Sequence, residues 1–170
     1  MKRALIVIIF AFVVTGCDNK PSAPFGLKWG QSADSVSFIK EGDCLNEADL
    51  TTCKFGNQKP FNQWSWSNEL QFDRNGLAQI KVSIVGTDNY APSFDNFKDN
   101  LNNEFKFLSE IGFNQESIAK IKQRCEEEET CDGTNEMGQT KVGKANIQLA
   151  TFPSSATPVG IITISKNNLN

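Results

Sequence analysis

The chain contains no histidine, which removes Ser-His-Asp and Cys-His nucleophile systems and the usual general base near neutral pH. Carboxylates, cysteines and tryptophans are what remain for chemistry. A carboxylate enzyme needs two acidic groups facing one cleft, with one kept protonated by burial. No acidic pair lies in an apolar setting that fits this, so no catalytic residue is expected. The densest carboxylates, Glu126, Glu127, Glu128, Glu129, Asp132 and Glu136, crowd around Cys125 and Cys131. Calcium favours several oxygen ligands, but the alternating EF-hand spacing is missing, and the run reads as a solvated acidic loop or a partner-facing patch. Cys44 and Cys53 are separated by eight residues and Cys125 and Cys131 by five, against about two to four in zinc sites. Neither metal nor cofactor is expected. Trp64 and Trp66 share one strand face with Leu70 and Phe72, as core or as an aromatic hot spot. A Gly-rich phosphate loop and basic-aromatic interleaving are both missing, which argues against nucleic acid.

The elements that must position these residues follow from periodicity. Ser32 as an N-cap predicts a short helix over about 33–40, ended by Gly42. Cys44 to Cys53 brackets a polar loop before an extended piece at Thr52 to Phe55. Alternation through Trp64, Trp66, Leu70 and Phe72, then Ala78, Ile80, Val82 and Ile84, predicts a hairpin. Keeping these sets on one face requires a three-residue loop, Arg74-Asn75-Gly76, with Asp73 opposite Leu77, Phe72 opposite Ala78, Leu70 opposite Ile80 and Trp66 opposite Ile84. Gly76 then takes the left-handed bulge position. Ser93 opens an amphipathic helix with Phe94, Phe97, Leu101, Phe105 and Leu108 on one stripe and Gly112 as its stop. A second helix, about 115–128, carries Ile118, Ile121 and Cys125 on one side. After a loop at 131–138, Val142 to Leu149 and Val159 to Ile164 give two further strands. The expected class is α+β: a largely antiparallel sheet, hairpin 63–85 plus C-terminal strands 142–165, packed with two to three helices.

At the N-terminus, Lys2 and Arg3 precede an apolar stretch from Ala4 to Val13, the pattern of a secretory signal. About ten apolar residues fall short of the roughly 20 that span a bilayer. The stretch runs into Val14-Thr15-Gly16-Cys17, which resembles the lipobox of bacterial lipoprotein precursors. That resemblance implies removal of residues 1–16, a diacylglycerol on the Cys17 sulfur and frequent acylation of its amino group. Two or three chains anchor stably where one is marginal, at about 0.8 kcal/mol per buried methylene. Asp18 resembles the residue that retains enterobacterial lipoproteins in the inner membrane, the outer membrane being the alternative. Residues 17–24 then read as a lipidated linker stiffened by proline, and 25–170 as one domain facing the periplasm. With Cys17 assigned to lipid, the other four cysteines form an even set with three connectivities. The shortest loops favour Cys44–Cys53 and Cys125–Cys131, each adding about 2–3 kcal/mol in an oxidising compartment.

Removing residues 1–16 leaves 154, enough for a single core. Lys+Arg falls from 17 to 15 against 20 Asp+Glu, a formal charge of −5. That balance argues against nucleic acid and against adhesion to anionic lipid by charge alone. Phe25-Gly26-Leu27-Lys28-Trp29-Gly30-Gln31-Ser32-Ala33-Asp34-Ser35-Val36 resembles the opening of small periplasmic α+β lipoproteins of the BamE type, with Gln31 where that family carries methionine. The resemblance implies a non-catalytic protein-binding domain. The expected function is a lipid-anchored periplasmic module acting on another envelope protein. The alternatives are an immunity or inhibitor protein directed at a periplasm-delivered toxin or lytic enzyme, and, last, a carboxylate-dependent envelope enzyme.

Overall fold

Strands with one apolar and one polar face dominate the computed structural model, which describes residues 20–128 and 130–167. Seven of them build a single sheet: β1 (Asp43–Glu47), β2 (Leu50–Phe55), β3 (Ser67–Asp73), β4 (Gly76–Val85), β7 (Thr134–Gln139), β8 (Lys144–Phe152) and β9 (Thr157–Ser165). The order is β1-β2-β3-β4-β9-β8-β7, antiparallel throughout. A two-residue ribbon, β5 (Thr87–Asp88) and β6 (Ala91–Pro92), follows β4. The expected α+β class with a largely antiparallel sheet is what the chain forms.

Because side chains alternate across a strand, register fixes two unlike faces. Cys53, Leu70, Ile80, Ile164 and Ala145 lie in one cross-strand row, and Phe55, Asn68, Val82, Ile162 and Ile147 in the next. All are buried. Two helices cover this face: α1 (Phe94–Glu110) packs against β4 and β9, and α2 (Gln115–Glu127) lies beside it. Ser93 caps α1, its hydroxyl accepting from Asn96 N at 3.2 Å, and Phe97, Leu101, Phe105 and Leu108 are buried as the stripe predicts. Asn114 caps α2 by accepting from Glu116 N and Ser117 N, a cap with no counterpart among the sequence expectations. Gly112, at φ +90°, ends the α1 path.

Several expectations are corrected. Residues 33–40 form no α-helix but two 3₁₀ turns, Ala33–Ser35 and Ile39–Glu41, and Ser32 makes no side-chain cap. The Ser35 hydroxyl donates to Ser32 O at 2.7 Å, a local bond that competes with helix propagation. Cys44 to Cys53 is a β-hairpin, not a loop; β1 is an edge strand exposed along its whole length, so it carries no alternation to read. β7 replaces an expected loop; its inward positions are Thr134, Glu136 and Gly138, so no apolar alternation marks it. Val142 sits in the turn before β8, which starts at Lys144.

In the central hairpin, Leu70 lies opposite Ile80 as expected, but a bulge past Gln71 places Phe72 opposite Leu77 and Asp73 opposite Gly76. Gly76 keeps its left-handed conformation, φ +92°. The N-terminal segment explains the shift. Gly30 N donates to Leu77 O at 2.9 Å and Leu77 N to Gln31 O at 2.8 Å, which fixes Leu77, rather than Ala78, in the core beside Phe72. The same segment corrects the linker. Trp29 N donates to Pro21 O at 2.9 Å and Ala23 N to Leu27 O at 2.9 Å, Ser22 bridges to Lys28, and Ala23 and Pro24 are buried. Residues 21–24 therefore belong to the folded body. The signal stretch, Cys17 and Asp18 lie outside the described residues, as does Glu129.

Candidate functional site

The first strand–helix contact with chemical character is a carboxyl that periodicity left unnoticed. Glu104 lies on the buried side of α1 and is 0% exposed. Its Oε2 accepts from Trp64 Nε1 at 2.8 Å and from Asn62 Nδ2 at 3.2 Å, while Oε1 has no partner. Both donors sit on the loop between β2 and β3, held down by Phe61. That ring lies within 5.2 to 5.5 Å of the Phe25, Phe38 and Phe55 rings, and Phe25 in turn stacks on Phe107 of α1 at 5.2 Å. Burial raises the Glu104 pKa from 4.5 to about 7, partly opposed by the Trp64 and Asn62 hydrogen bonds. A carboxyl poised near neutrality is a general-acid signature. Here it faces packed protein: neither described cleft includes it.

Trp64 and Trp66, expected on one face, part company. Trp64 turns in to Glu104, whereas Trp66, just ahead of β3, is 64% exposed. Its backbone N–H still reaches Ser83 O at 2.7 Å, but the inward place opposite Ile84 is closed by a polar knot. Asn68 Nδ2 donates to Ser65 Oγ at 2.7 Å and to Gly56 O at 2.8 Å, and Ser65 Oγ donates to Asn62 O at 2.6 Å.

Trp66 belongs to one end of the sheet, here the distal end, opposite the end where residue 20 joins the fold. Register brings the start of β3, the end of β4, the β8–β9 turn and the ribbon to the distal end. It displays two more large rings, Phe152 at 53% and Tyr90 at full exposure. Tyr90 and Asn89 form the ribbon turn with φ +67° and +46°. Two left-handed residues in a two-residue hairpin turn favour Asn-Gly; a bulky tyrosine in the second place is a strained choice that holds the ring in solvent.

Charge at the distal end is acidic. α2 finishes there with Glu126, Glu127 and Glu128 exposed, joined by Asp88, Asp95 and Asp132. Negative charge at a helix C-terminus is mildly unfavourable, and Arg124 offsets it, donating to Glu128 at 3.2 Å and to Asp132 O at 2.8 Å. Lys98 is bonded to Asp95 at 2.9 Å, and that hydrogen bond raises its pKa. The Cys125–Cys131 disulfide ties α2 to this end and Cys44–Cys53 spans directly opposed residues of β1 and β2. These are the pairs expected from loop length. Among the described residues no cluster has the makings of a metal site, and no helix is long and apolar enough to cross a membrane.

The helix-free face of the sheet is polar, with one cross-strand row reading Asp43, Lys54, Glu69, Lys81, Thr163, Asn146 and Met137. Its charges alternate, and Lys81 bonds Glu69 at 2.9 Å, so the row largely satisfies itself. The larger described cleft, about 1020 Å³, opens at the opposite, proximal end between Gly30, Asp73, Lys144 and Lys166. Compared with protein-family models, curated proteins and solved structures, the chain matches none.

Proposed function

We propose that this chain is a lipid-anchored periplasmic protein-binding module without catalytic chemistry, and that its partner docks on the distal end. The observation that carries this reading is the exposure of Trp66, Tyr90 and Phe152 at the same end of the sheet as the carboxylates that finish α2. Large exposed aromatics are hot-spot material, and Tyr90 is shown to solvent at a conformational cost. The acidic surroundings favour a partner with a basic rim. Within this reading, an inhibitor or immunity role against a basic lytic enzyme or toxin is the narrower variant that the same charge favours. The non-catalytic part rests on the placement of Glu104: a carboxyl of suitable pKa that is fully buried and lines neither described cleft.

A photoactivatable crosslinker at position 152 in intact cells is expected to recover one dominant envelope protein. Random neighbours at comparable yield count against the reading. The Tyr90→Gly variant separates display from folding. Relief of the left-handed tyrosine is expected to leave stability unchanged or raise it by up to about 1 kcal/mol, while affinity for the captured protein falls by at least tenfold. Unchanged affinity in Tyr90→Gly and Trp66→Ala alike removes the distal end as the interface.

A further inference from the structure

The far side of the molecule carries a second surface. We infer that the proximal end of the domain lies against the lipid headgroups, with Lys141, Lys144 and Lys166 contacting anionic phospholipid; this rests on the reading of Cys17 as the lipid-bearing residue.

Reach gives the first part of the argument. Pro21 is already fixed by its hydrogen bond from Trp29 N, so only four residue steps separate it from Cys17, a span of no more than about 14 Å. A folded body of about 150 residues has a radius of gyration near 15 Å. Such a body on such a tether cannot turn its distal end to the bilayer. The proximal end, where the tether joins, stays within that reach of it.

The second part is what that end carries. Trp29 is 1% exposed and its indole N–H donates to Val142 O, which clamps the Thr140–Gly143 turn beside the point where the tether joins. Lys141 lies in this turn and Lys144 follows it, and Lys144 lies opposite Ser165, with Lys166 next along the chain. All three are exposed, and Lys144 and Lys166 line the proximal cleft. Among the described residues Lys141 Nζ reaches a carbonyl, Glu110 O, at 3.4 Å. Carboxylates share this end, Asp49 paired with Arg74 at 2.8 Å, Asp73 accepting from Asn75 N at 2.6 Å, and Glu47 and Glu110 exposed, but the three lysines lie together around the start of β8 and the end of β9. A net-acidic chain does not adhere to anionic lipid from solution. Once tethered within a Debye length of the headgroups, about 8 Å at physiological salt, it presents these lysines where each strengthens surface attachment roughly fivefold.

The test uses the mature full-length protein reconstituted in vesicles of phosphatidylcholine alone or mixed with phosphatidylglycerol. Intact mass comes first: an unmodified Cys17 overturns the anchor reading on which this inference stands, whatever the lysines then do. With the lipid present, a water-soluble amine-reactive reagent is expected to label Lys141, Lys144 and Lys166 at least threefold more slowly in the phosphatidylglycerol vesicles. Lys106 and Lys120, on the helices, are expected to label equally in both. Equal labelling of the three proximal lysines in the two vesicle types overturns the inference.

Discussion

Glu104 is the residue at which this molecule departs furthest from its own pattern, a carboxyl in an apolar helix stripe. The raised pKa means that the native state holds a proton the unfolded chain has released between pH 4.5 and about 7. Stability from this group is therefore greatest below pH 4.5, falls as pH rises through that window and stays lower above it. The shift corresponds to about 3 kcal/mol. Glu104→Gln keeps an acceptor for Trp64 and Asn62 and removes the titration. The stability difference between wild type and variant, measured by urea unfolding, is expected to change by about 3 kcal/mol between about pH 4 and pH 8 in favour of the variant at the higher pH. A constant difference would place the titration elsewhere. Trp29 acts at the same scale with opposite character, its ring fully inside and its one polar atom bonded to Val142 O. Trp29→Ala is expected to cost about 3–5 kcal/mol and to speed amide exchange across residues 21–31, because this ring fastens that segment to the β7–β8 turn.

Among the elements, legibility tracks burial. Both helices and the central strands were readable because each pairs an apolar face with a polar one, and the N-cap Ser93 and the stop Gly112 bracketed α1. The edge strands were not: β1 is exposed along its whole length and has no alternation to display, and the inward positions of β7 are Thr134, Glu136 and Gly138, so its alternation in burial is not one of hydrophobicity. The bulge past Gln71 was hidden for a different reason: a contact from residues 30 and 31, distant in the chain, chose Leu77 over Ala78. The cysteines were the counterpart of periodicity at this scale, because loop length favoured a pairing without any knowledge of the hairpin. Replacing Cys44 and Cys53 together by serine is expected to lower stability by about 2–3 kcal/mol. The loss should appear in the denaturation midpoint and, by hydrogen exchange, stay local to β1, which has a single neighbour. A loss spread evenly over the sheet would show β1 to be more central than its edge position allows.

At the scale of the whole molecule, the sheet has two unlike ends. The chain joins at the proximal end beside Lys141, Lys144 and Lys166, and three exposed aromatics and the carboxylates that finish α2 lie at the distal end. In the functional proposal the first meets lipid and the second meets protein, so one rigid body of about 40 Å or less spans the gap between them. The sequence by itself determined the local quantities: the missing histidine, the acidic balance, the apolar N-terminal stretch running into Cys17, the helix stripes and the α+β class, and it favoured the short-loop disulfide pairs among three connectivities. These depend on residue type and on spacing along one element. Only the tertiary structure decided which of two nearby tryptophans is exposed, that a helix glutamate is sealed from water, that residues 21–24 of the expected linker are folded, and that Tyr90, Phe152 and Trp66 share one end. Each of those depends on which distant segment occupies the space beside a residue, and that is settled by strand order and packing.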